Sequence, residues 1–192
     1  MPYPIDTSLV LNATPDEVNE FNKRLEMTGK VYRRLGLISE IILEKLPKDA
    51  SGTCAAFAIG YLFGTESIPK NPLSLKKPQE FSELFFGKIR QIVAENTMKV
   101  IIPENPDELL AITRNDRFIG GTSIEHGHVR LILPGIGLRT NEPMPSLQAL
   151  LGLVHTDNDF DKASAIPPKE IFEASIDSAA GRIIYLLSSP AD

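Results

Sequence analysis

Cysteine is nearly missing from this chain: Cys54 is the only one in 192 residues. A single thiol excludes an internal disulfide and any cysteine-rich zinc site. Histidine is scarce as well, with three, His126, His128 and His155. No apolar run approaches the ~20 residues needed to span a bilayer. No stretch gathers Lys and Arg into a nucleic-acid surface, and the formal net charge is −5. Repeats and low-complexity segments are missing. The opening residues, Met1-Pro2-Tyr3-Pro4-Ile5-Asp6, lack the basic region and apolar run of a secretory signal. These absences predict a soluble protein with no nucleic-acid partner and no membrane span. It is expected in the cytoplasm, or secreted by a route without a cleaved signal peptide.

What remains is ordinary globular material, 42% hydrophobic and 23% charged. The length suits a single domain over 1–192, with a helical N-terminal layer (1–47) and a Cys54 helix plus sheet (48–192). Thr14-Pro15-Asp16-Glu17 is a helix start: Thr14 can cap, Pro15 suits the first helical position, and Glu17 completes a capping box. From Val18, Phe21, Leu25, Val31, Leu35, Ile38, Ile41, Ile42 and Leu46 recur at helical spacing. Gly29 and Gly36 are expected to break or bend this run into two helices, and Pro47 to end it. A further helix is expected over about Pro78 to Asn96, after a lysine- and proline-bearing loop from Thr65 to Lys77.

The second half reads mostly as strands. Met98 to Ile102 is a short β-branched run, and a short helix follows from Asn105-Pro106-Asp107-Glu108. Asn115 to Ile119 is a further strand, with Gly120-Gly121 as a turn. His128 to Leu133 is the clearest strand, Pro134-Gly135 a turn, and Ile136 to Thr140 its return. Ser146 to Val154 and Pro168 to Ser175 read as short helices, and Arg182 to Leu187 as a final strand. Helices first and strands later argue for an α+β fold.

Ser51-Gly52-Thr53-Cys54 runs from a turn into the apolar segment Ala55 to Gly64. That puts Cys54 in the first turn of a helix, where unpaired N–H groups and the helix dipole favour thiolate, the attacking species. The competing reading is a small buried hydrophobe, since free cysteine is among the most buried residue types. A nucleophile needs a base, and the base an orienting group. His128, at the start of a strand, is the base with the best anchorage. If Pro134-Gly135 is a two-residue turn, Leu133 pairs with Ile136 and His128 with Asn141. Opposed residues share a face, so Asn141 could hold the imidazole in one tautomer. A four-residue turn would bring Pro143 opposite, with Glu142 or Asn141 nearby; Asp157 is a further choice for the third group.

Three segments together resemble a family: Gly52-Thr53-Cys54-Ala55-Ala56-Phe57, Asn115-Asp116-Arg117-Phe118-Ile119 and Gly127-His128-Val129-Arg130-Leu131-Ile132-Leu133. The pattern is similar to the papain-like cysteine hydrolases of bacteria, including the CHAP and NlpC-type amidases and the YopT-like effector proteases. It covers Ser51 to Glu142, with Asn115 standing where the family has glycine. The resemblance implies a papain-like α+β fold, with N-terminal helices, one opened by Cys54, packed on a small antiparallel sheet. It implies Cys54 as nucleophile, His128 as base and Asn141 as orienting residue, a peptide or protein substrate, and neither metal nor organic cofactor. The backbone N–H of Cys54 would then contribute to an oxyanion hole.

Other constellations are poorer. Glu125 with His126 and His128 could begin a zinc site only with distant ligands. Asp157-Asn158-Asp159-Phe160-Asp161 opens like a calcium loop, but Lys162 stands where glycine is needed and Pro168 where glutamate is needed. Gly135-Ile136-Gly137 lacks the strand-to-helix context of a phosphate cradle. Two functions follow: a thiol hydrolase cleaving an amide or peptide bond, or a non-enzymatic protein-binding protein (effector, immunity or assembly factor) with an inert cysteine.

Overall fold

The computed structural model describes residues 14–46, 53–125, 128–134, 153–156, 164–166 and 183–190. The fold is α+β. Its helices are α1 (Pro15–Glu44), α2 (Cys54–Phe63), α3 (Pro78–Ala94) and α4 (Pro106–Arg114), and its strands β1 (Lys99–Ile101), β2 (Phe118–Glu125), β3 (His128–Leu133), β4 (Leu153–Thr156), β5 (Ser164–Ile166) and β6 (Ile183–Ser188). The strands form one sheet in the order β1-β6-β2-β3-β4-β5, with every neighbouring pair antiparallel.

The capping box at the start of α1 is present as the sequence expects. Thr14 Oγ1 accepts from the Glu17 N–H at 3.3 Å, and Glu17 Oε2 accepts from the Thr14 N–H at 2.8 Å. Gly29 and Gly36 do not break the helix, which runs unbroken for 30 residues. The reason is its buried stripe: Phe21, Arg24, Thr28, Val31, Leu35, Ile38 and Ile42 follow one another at alternating steps of three and four. That stripe holds one line against the rest of the protein, and burial along it outweighs the roughly 1 kcal/mol that each interior glycine costs relative to alanine.

Strand alternation gives the sheet two different faces. On the first, Gly120, Thr122 and Ile124 of β2 lie in register with Leu187 and Tyr185 of β6 and with Leu131 and Val129 of β3. Val129, Leu131, Leu133 and Leu187 join α2 and the C-terminal half of α1 in one core with Phe81, Phe85 and Ile92 of α3. α2 is buried from Ala55 to Leu62, so it lies between the sheet and α1. The second face carries a smaller core, Leu109 of α4 with Phe118, Ile132, Ile184 and Leu186.

Small residues set how closely the layers approach. A Cβ on Gly60 would lie 2.7 Å from Ile68 Cδ1 and 3.2 Å from Ile38 Cγ2, and one on Gly120 would lie 3.2 Å from Tyr61 Cε1. Gly120-Gly121 is therefore not the turn that the dipeptide suggests. Both residues lie inside β2, where α2 and β6 come too close for a side chain. β2 instead runs on through Gly120-Gly121 to Glu125, which pairs with His128.

The second half differs from expectation at one more place. Leu131, Ile132 and Leu133 pair with Thr156, His155 and Val154. β4 thus occupies the edge of β3 that a direct return through Ile136 was expected to take. Leu153 and Val154 are strand, not the end of a helix. The expected elements at Ile136–Thr140 and Pro168–Ser175 lie outside the described residues.

Candidate functional site

Cys54 is the first residue of α2, as the sequence expects, and is half-buried against the larger core. Thr53, at the cap position, is buried and makes no side-chain capping bond. Its carbonyl accepts from the Phe57 N–H at 3.0 Å, which starts the helical ladder. Further along α2, Arg34 of α1 lies over the Tyr61 ring, 4.6 Å from its centroid, and donates from Nη2 to the Tyr61 carbonyl. Burial pushes the Tyr61 hydroxyl up to about 12, and the Arg34 charge only partly offsets this.

His128 is the first residue of β3 and is half-buried. The alternation of β3 decides where it stands. Val129, Leu131 and Leu133 belong to the core shared with α2, while Ile132 belongs to the opposite core with α4. The period of two places His128 and Arg130 with Ile132. The register has no irregularity between Gly121–Glu125 and Ile132–His128 that would invert this order. The alternation thus sets His128 on the strand face opposite to the one that packs on α2. A base must come within about 3.2 Å of the proton it takes. The alternation of β3 argues against a Cys54–His128 pair.

Asn141, Glu142, Asp157 and His126 lie outside the described residues. The register by which Asn141 fell opposite His128 required Leu133 to pair with Ile136, and Leu133 pairs with Val154. His155 lies in β4, opposite Ile132. Among the described residues, no group of three or more His, Cys, Asp or Glu is placed to hold a metal ion, and no helix is long and apolar enough to cross a membrane.

A second cluster was not anticipated. Where the N-terminal half of α1 passes the end of α4, a cleft is lined by Glu20, Lys23, Arg24, Thr113, Arg114 and Asp116, among others. Arg24 is only 3% exposed and donates from Nε to Glu20 Oε1 at 2.8 Å. Lys23 and Asp116 form an exposed ion pair. The hydrogen bond to Asp116 holds the Lys23 ammonium above its ordinary value. Thr113 turns its hydroxyl back to the Leu109 carbonyl at 2.8 Å. The signal for this cluster was in the sequence: Arg24 occupies a stripe position between Phe21 and Thr28, where a charge needs a specific partner.

Compared with family models, curated proteins and solved structures, the chain matches none.

Proposed function

We propose that this chain is a protein-binding protein of the effector, immunity or assembly-factor kind, and that Cys54 serves it by packing rather than by catalysis. The observation that carries this reading is the alternation of β3, which turns Val129 towards the Cys54 helix and His128 away from it. Cys54 packs against the larger core, as a small, half-buried apolar group does.

The test is the rate of iodoacetamide labelling of Cys54 against pH, in the native protein and in His128→Ala. Packing alone gives slow labelling with the same pH profile in both proteins. Fast labelling well below pH 8 that disappears in His128→Ala would overturn the reading.

A papain-like thiol hydrolase acting on an amide or peptide bond is the second reading. It is favoured by the place of Cys54 at the first residue of a helix that packs on an antiparallel sheet. It requires a base other than His128. Fast labelling at low pH that survives His128→Ala would support it.

A further inference from the structure

We propose that the cleft between the N-terminal half of α1 and the end of α4 is a carboxylate-binding site, with Arg114 as its forked ligand. Among the described residues, the cleft brings together three cations, Lys23, Arg24 and Arg114, and two carboxylates, Glu20 and Asp116. Lys23 is matched by Asp116 and Arg24 by Glu20. Arg114 makes no ion pair among the described residues. One incoming monoanion would balance the set.

The site is partly built in advance. Arg24, its neighbour, is held by burial and by the Nε bond to Glu20. The Arg114 guanidinium loses some of its hydration on folding and sits in the field of Arg24. Both effects lower its pKa, burial being the larger, and Glu20 opposes them. A guanidinium that has lost water without gaining a carboxylate gains most from a planar, two-oxygen partner. The cleft is shallow and open to solvent, with enclosed room for about one water, so a side-chain carboxylate would meet the exposed Arg114 guanidinium at its mouth. The carboxylate is that of an Asp or Glu on a partner protein, and to that extent the inference rests on the protein-binding reading.

The site is testable without the partner. In the full chain, the Nε–Hε NMR signals of Arg24 and Arg114 are followed during titration with acetate, against chloride at equal ionic strength and against inorganic phosphate. Saturable shifts with acetate are expected, weakened at least about tenfold in Arg114→Ala as read from the Arg24 signal. Arg114 is exposed, so the variant should fold, and its amide spectrum verifies this. Shifts that never saturate and match those with chloride would reduce the site to ionic screening and overturn the proposal. Saturation by phosphate alone would overturn the carboxylate assignment, and saturation unchanged in Arg114→Ala would overturn the role of Arg114. Cys54 labelling takes no part in this titration, so failure of the site and failure of the protein-binding reading are told apart.

Discussion

Phe85→Ala removes the side chain on which the larger core converges. Phe85 has no exposed surface. Its ring lies 5.5 Å from Phe81, stacked, and 5.8, 5.3 and 5.4 Å from Phe63, Phe86 and Tyr185, edge to face. It thereby joins the end of α2, the length of α3 and strand β6. A buried Phe→Ala change costs about 3–5 kcal/mol, combining lost transfer energy with the cavity left behind. Four aromatic neighbours, each worth ~0.5–1.5 kcal/mol beyond area though not additively, place the expected cost at the upper end of that range. The neighbours come from three elements, which limits collapse into the gap. The assay is urea unfolding followed by far-UV circular dichroism, with the midpoint expected to fall and the slope to stay the same. A loss below about 1.5 kcal/mol at an unchanged slope, the level of a volume-conserving swap, would refute this account of the core.

Gly36→Ala should stabilise by roughly 0.5–1 kcal/mol, because a Cβ there meets nothing within 4 Å and the residue lies inside a helix; a rise in Tm checks it. Gly121→Ala should do the opposite, since its Cβ would lie 2.6 Å from the Tyr185 carbonyl oxygen, and backbone cannot swing aside; thermal unfolding should show a loss of about 1–3 kcal/mol. Tyr61 binds its proton more tightly folded than unfolded, so its contribution is intact below its ordinary value of 10.0 and is lost as pH climbs to about 12. Urea unfolding across that window should show a fall in stability that Tyr61→Phe reduces. Thr14→Ala should cost about 0.5–2 kcal/mol, by loss of the capping box, and should lower Tm.

Local chemistry made part of this fold legible. The caps at Thr14 and Asn105 and the apolar run after Cys54 each carry their signal within a few residues, and the helices begin where those signals stand. The final strand was legible from its continuous apolar character, because β6 pairs on both sides, with β1 and β2. Gly36 and Gly120 misled for different reasons: at Gly36, burial of the α1 stripe carries the helix through a position where no neighbour needs the space. A glycine reads as a break unless a distant surface needs the space. At Gly120 that surface is Tyr61, 59 positions earlier in the chain, and no local pattern reports it.

The Cys54 and His128 pairing was illegible for a related reason. The sequence placed Cys54 at a helix start and His128 at a strand start, and both stand there. Which face of the sheet receives α2 depends on tertiary packing. A shift of one residue in the strand would exchange the roles of His128 and Val129. The preference of Val129, Leu131 and Leu133 for the larger core decides the matter, and it also accounts for Ile132 meeting Leu109 on the other side.

The most direct measurement of that arrangement is a thiol count in His128→Cys after mild oxidation of the native protein. A disulfide needs Cα atoms no more than about 7 Å apart and side chains that converge. With positions 54 and 128 on opposite faces of the sheet, both thiols should stay free in the native monomer. A 54–128 disulfide recovered from native monomer would contradict the account.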